Sequence, residues 1–198
     1  MNGTRETRII LASQSPRRKQ LLEWAEIPFE VVVQSTPETY PPDMPVPEVP
    51  VFIAREKAIA VKQQNEFLQH NTHVIIAADT VVVLGNTIIG KPKDREDALD
   101  ILARLSGNKH QVTTGVVLLK GQQEIAFSDT TDVWFHPLTP EQIAYYVDKY
   151  QPYDKAGAYA IQEWIGVVGI KSIQGDFYNV MGLPVSRVVA ELANLLMC

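Results

Sequence analysis

Apolar positions along the chain come in short runs divided by longer stretches of helical spacing. RIILA, residues 8–12, sets four apolar residues in a row and predicts a buried strand. It leads into a turn at Ser15. Ser15 suits an N-cap, Pro16 suits the first helical position, and Leu21, Leu22 and Ala25 follow at helical spacing. FEVVV, residues 29–33, predicts a second strand. Residues 37–50 carry prolines at 37, 41, 42, 45, 47 and 50, which excludes regular structure and predicts a loop of partly extended character. From about Val51 into the mid-60s, Val51, Ala54, Ala58 and Val61 form a core-facing helical stripe.

The second half alternates in the same way. HVIIAA, residues 73–78, is the clearest buried-strand signal, and residues 81–90 predict a hairpin around Gly85-Asn86. Asp94 caps a predicted helix that runs through Leu105 and ends at Ser106-Gly107-Asn108. Residues 111–135 predict two long strands around a turn. Thr139-Pro140-Glu141 begins another helix, IGVVGIKSI (residues 165–173) predicts a strand, and a last helix runs from Pro184 to near Leu196. Interleaved strands and helices with a long hairpin predict an α/β fold with a mixed sheet.

Composition narrows the function. Hydrophobic content of 45% and charged content of 21% suit a globular protein, and 198 residues fit one domain, or one core with two lobes. Eighteen basic against 23 acidic residues give a net charge of −5. That argues against nucleic acid or a membrane surface as partner. No stretch is long and apolar enough to span a bilayer, and the apolar segment after MNGTRETR is too short for a signal peptide. The single cysteine, Cys198, cannot form an internal disulfide. Together these predict a cytoplasmic protein.

Against that acidic background one cationic cluster breaks a local rule. Arg17, Arg18 and Lys19 sit in the first turn of a helix, the positive end of its dipole, where cations are unfavourable. An anionic ligand would compensate them. Asp79 follows five apolar residues, which places it at the end of a buried strand, where ligand sites of α/β sheets gather. A turn or capping aspartate fits that place equally well. Lys91, between Gly90 and Pro92, fits a phosphate contact and also an ordinary surface turn. Lys57 lies beside its helix's apolar stripe, a usual place for a snorkelling lysine. Glu38, in the proline-rich loop, fits an exposed glutamate or a metal ligand. Small residues around Gly157 would let backbone approach a ligand, and Gln162 offers one donor and one acceptor group to a base edge. His70, His73, His110 and His136 lack metal-ligand spacing, which disfavours zinc, and no P-loop occurs. If a metal is used, the available oxygen ligands point to Mg²⁺ or Mn²⁺.

LASQSPRR, IAREKA, AADTVV, GKP, LSGNKHQVTTGV, YDKAGAYAIQ and YNVMGLP stand here in the order found in the Maf family of nucleoside triphosphate pyrophosphatases, also called septum-formation inhibitor proteins. The resemblance runs from about Ile9 to Leu196. It implies a single domain over residues 1–198, with an elongated mixed sheet, flanking helices and a cleft between two lobes, as in the inosine-triphosphatase-like group. It also implies hydrolysis of a nucleoside triphosphate to monophosphate and pyrophosphate with a divalent metal, and a homodimer. Gln162 resembles the dTTP and UTP branch. The alternatives are the 7-methyl-GTP branch, and a nucleotide-binding regulator of cell division with little turnover.

Carried over by position, Asp79 matches the family's essential aspartate, as general base or metal ligand, and Glu38 its loop glutamate, which helps hold the metal. Lys57 and Lys91 match its two lysines and would neutralise phosphate charge. Arg17, Arg18 and Ser13 match the phosphate loop, with Arg17 expected on phosphate and Arg18 either there or paired with a carboxylate. Thr80 and Gln162 match residues near the base. Three departures stand out. Glu163-Trp164 replaces the usual glycine after the glutamine, Pro37-Glu38 replaces Asp-Glu, and Ala77-Ala78 precedes Asp79 where a glycine is usual.

Overall fold

The computed structural model describes residues 7–65 and 73–197; His70 and Cys198 lie outside them. In chain order the elements are β1 (Arg8–Leu11), α1 (Pro16–Trp24), β2 (Glu30–Val31), α2 (Val49–Gln64), β3 (His73–Leu84), β4 (Thr87–Ile89), α3 (Arg95–Leu105), β5 (Lys109–Lys120) and β6 (Gln123–Phe135). There follow α4 (Pro140–Tyr150), α5 (Trp164–Gly169), β7 (Ile170–Gln174), α6 (Phe177–Met181) and α7 (Val185–Met197). The strands form a seven-stranded sheet in the order β2-β1-β3-β5-β6-β7, with β4 paired to β3. β1 pairs in parallel with β2 and β3, with Ile10 opposite Glu30 and Ile75. β3–β4 and β6–β7 are antiparallel. The mixed α/β sheet expected from the alternation is borne out.

Two compact units divide the chain. The first holds residues 1–79, 114–128 and 182–198, the second residues 80–113 and 129–181. In the first, Ile10, Ile75, Ala77, Val117 and Leu119 from the strands, and Ala12 just after β1, pack with Ala54, Ala58 and Val61 of α2. That is the helical stripe read from the sequence, with Val51 packed against it. α2 comes this close to the sheet at Gly115, where a Cβ would stand 2.2 Å from the Val51 backbone nitrogen. No other residue fits there without backbone movement.

The second unit packs α3 against α4. Asp94 caps α3 by accepting the Asp97 N–H, and Thr139 opens α4 with a capping box to Gln142. His110 is buried under T-shaped contacts with Phe135 and Tyr159, and its Nε2 meets the Tyr159 hydroxyl at 2.7 Å. Its Nδ1 has no hydrogen-bond partner among the described residues. Burial lowers the imidazole's pKa from the ordinary value to about 4. The folded state therefore holds fewer protons than the unfolded chain between about pH 4 and pH 6.5. Stability present near neutrality drains away as pH falls through that window, by up to about 3 kcal/mol from this residue. Urea unfolding from pH 7 down to pH 4 should show the decline, and His110→Leu should flatten it.

Four local expectations are corrected. β3 does not stop before Asp79 but continues to Leu84. Asp79 and Thr80 interrupt its burial, not its backbone, so a polar step within the strand resembled a strand end. The proline-rich loop is less irregular than expected. Val46–Glu48 form a 3₁₀ turn, and α2 starts at Val49 with Pro50 in its first turn, where a missing N–H costs nothing. FEVVV is reduced to a two-residue strand. IGVVGIKSI divides into α5 and β7, because a short apolar run does not distinguish a buried strand from a helical turn.

Candidate functional site

In the first unit α2 brings Lys57 to the Asp79 position of β3. The Lys57 ammonium donates to Asp79 Oδ1 at 2.7 Å and to Glu38 Oε1 at 2.7 Å. The Lys57 and Asp79 side chains are only 16% and 13% exposed, whereas Glu38 reaches in from the loop at 45%. One cation thus joins two carboxylates that lie 41 positions apart in the chain. Lys57 is no plain snorkelling lysine, because its head group is committed to two acids rather than to water.

The turn between β1 and α1 is built on Ser13. Its hydroxyl oxygen accepts from the Ser15 N–H at 3.2 Å and from Arg18 Nη1 at 3.2 Å. Arg18 is buried, and its Nε donates to the Gly182 carbonyl at 2.8 Å, which ties the start of α1 to the residue group before α7. Burial lowers the pKa of this guanidinium, while the Asp79 carboxylate acts in the opposite direction and Arg17 adds to the lowering. Ser15 stands at the N-cap of α1 but makes no side-chain cap hydrogen bond, a correction to the sequence reading. The helix also has no acidic residue in its first turn. Arg17 is half-buried there.

The donors at Glu38 and Asp79 suit a hard divalent cation. Both oxygens lie within 2.7 Å of one nitrogen, so they are at most twice that distance apart. Among the described residues no group of three or more His, Cys, Asp and Glu comes together. Two carboxylates, completed by water and phosphate oxygens, are a Mg²⁺-like set rather than a zinc cage.

The second unit carries the other sequence candidates. Thr80 is half-buried in β3, Lys91 is exposed after β4, and Gln162 is exposed on the turn before α5. Gln162 lines a cavity of about 370 Å³ with Ile161, Val167, Ile170 and Phe177. Gly157 adopts φ +72°, its N–H donates to the Gly90 carbonyl at 3.0 Å, and a Cβ there would stand 2.9 Å from Val82. Packing on β3 therefore accounts for the small residue in AGA, where the sequence suggested room for a ligand.

Sequence reasoning missed one polar cluster. The Tyr146 hydroxyl in α4 donates to the Glu163 carboxylate and accepts from the Ala160 N–H at 3.1 Å, and the buried Lys155 ammonium lies 3.6 Å from Glu163. Tyr146 reads as one more apolar position of an amphipathic helix, and nothing in its spacing points to Glu163.

Residues 8–195 match the profile of a family described as Maf-like protein. A Cytophaga hutchinsonii protein named dTTP/UTP pyrophosphatase is 49% identical, over 98% of this chain and 87% of its own. Proteins of the same name from Bacteroides thetaiotaomicron and Porphyromonas gingivalis are 47% and 45% identical, over 94% and 97% of this chain and 95% and 96% of theirs. Among solved structures, the Staphylococcus aureus Ham1 protein aligns over 65% of this chain and 71% of its own, at 15% identity and a TM-score of 0.39.

Proposed function

The chain belongs to the Maf-like protein family, and on that premise we propose that it hydrolyses dTTP and UTP to the monophosphate and pyrophosphate. The names of relatives at 45–49% identity over nearly the whole chain support the substrate class. The observation that carries the reading is the Lys57 ammonium held between Glu38 and Asp79 at 2.7 Å. A phosphoanhydride hydrolase needs a proton acceptor for water and cations for the phosphates, and this cluster supplies both.

In the proposed reaction Asp79 accepts the proton of the attacking water. The water oxygen forms a new P–O bond, the α–β phosphoanhydride bond breaks, and pyrophosphate leaves. Lys57, Lys91 and Arg17 offset the negative charge of the phosphates. Ser13 and Arg18 shape the turn that presents Arg17, through their mutual hydrogen bond and the tie to Gly182. Thr80 and Gln162 face the base. Glu38 and Asp79 would hold a Mg²⁺ or Mn²⁺ ion, which supplies charge neutralisation to the substrate when bound. Residues 1–198 act as one catalytic domain in the cytoplasm, as a homodimer.

A panel of dTTP, UTP, CTP, ATP and 7-methyl-GTP with pyrophosphate detection tests the proposal. The expected result is turnover highest on dTTP and UTP. Tight binding of UTP without pyrophosphate release would favour a regulatory nucleotide binder, and preference for 7-methyl-GTP would move the chain to that branch.

A further inference from the structure

We propose that Glu163 is a positioning residue that fixes the turn carrying Gln162 and so sets how sharply the enzyme tells uracil from cytosine. The inference rests on the proposed role of Gln162 at the base. Glu163 stands where the chain departs from the family pattern, at the N-cap of α5, yet its carboxylate makes no cap hydrogen bond. The carboxylate turns instead to the Tyr146 hydroxyl and the Lys155 ammonium. The same Tyr146 oxygen accepts the Ala160 N–H. Residues 160 and 163 are therefore pinned to one atom, and the Glu163 N–H closes the turn by donating to the Ala160 carbonyl at 3.1 Å.

The anchor is rigid. Tyr146 is fully buried, and its ring stacks on Tyr150 at 5.0 Å between centroids and 24° between planes. Lys155 is buried too and holds Asp154 at 2.8 Å beside Glu163. Only Ile161 and Gln162 lie between the two pinned positions, and Gln162 projects to the solvent-facing cavity. This matters for a glutamine in particular. Its amide has a donor end and an acceptor end of nearly equal size, and uracil and cytosine present opposite patterns to it. A glutamine on a loose turn satisfies either base by rotating its amide. A fixed backbone narrows the positions from which that amide can reach either base edge, and so sharpens the difference between them.

The test compares kcat/KM for UTP and CTP in wild type, Gln162→Ala, Glu163→Ala, Glu163→Gln and Tyr146→Phe, with binding of inorganic tripolyphosphate measured by calorimetry. Glu163→Ala and Tyr146→Phe should each lower the UTP-to-CTP ratio by about tenfold, the scale of one hydrogen bond, with tripolyphosphate binding unchanged. Glu163→Gln keeps an acceptor for the Tyr146 hydroxyl and should retain the ratio within about threefold. Tyr146→Phe keeps the buried ring and reads the anchor independently should Glu163→Ala fold poorly. A wild-type ratio in Glu163→Ala, or a Glu163→Gln variant as impaired as the alanine, overturns the proposal while a lost ratio in Gln162→Ala leaves the base contact standing. A ratio unmoved by Gln162→Ala overturns the base contact and the positioning role together. Tripolyphosphate binding that falls in step with the ratio would make the cluster a general structural support, against the proposal.

Discussion

Asp79→Asn should lose at least about 100-fold in kcat on UTP and dTTP while melting close to the wild-type temperature. The fold should survive because the substitution is nearly isosteric and its amide oxygen still accepts from Lys57, which also keeps Glu38 at 2.7 Å. The strand should survive as well, since Asp79 is half-buried in the middle of β3 and does not terminate it. What should disappear is the oxygen proposed to take a proton from water, and one of the two anionic donors proposed for a divalent ion. Paired measurement of kcat and of the melting temperature separates these effects. Turnover within a few-fold of wild type would remove Asp79 from the chemical step.

Arg17→Ala should behave in the opposite sense with and without nucleotide. In the protein alone the arginine opposes the dipole of α1, whose first turn carries no acidic residue. It also repels the buried Arg18 guanidinium, whose pKa its charge helps lower. Its removal should leave the melting temperature unchanged or slightly raised. Bound to a non-hydrolysable UTP analogue with Mg²⁺, the variant should lose the charge-assisted bonds to phosphate, at a cost of about 2–5 kcal/mol. That corresponds to a Kd weaker by a factor of about 30 or more. The stabilisation that nucleotide gives by mass action should shrink with it. A variant destabilised alone that keeps the full nucleotide-induced shift would make Arg17 a structural residue.

The elements whose signals are local were legible in the sequence. Asp94, Thr139 and the Gly85-Asn86 turn announce α3, α4 and the β3–β4 hairpin through chemistry contained within a few residues. The α2 stripe is a matter of period, and the core it joins follows from it. The misses are places where a local sign had two meanings. Asp79-Thr80 looked like a strand end because a polar step and a chain reversal have the same hydrophobic pattern. Pro50 looked like a helix breaker, although proline is harmless in a first turn. The site was legible as residue types but not as geometry. That Lys57 would join Glu38 to Asp79 depends on how α2 settles against β5 at Gly115, a contact between segments far apart in the chain. The Arg18 bond to Gly182 and the Tyr146 bond to Glu163 are likewise products of packing, with no periodic trace.

The most direct test of the central claim is the product pair formed from UTP and dTTP, resolved by ion-exchange chromatography with and without chelator. Under α–β cleavage, monophosphate and pyrophosphate form in equal amounts, abolished by chelation and restored by Mg²⁺ or Mn²⁺. Diphosphate and orthophosphate would contradict it, because the bond broken would then be the β–γ anhydride.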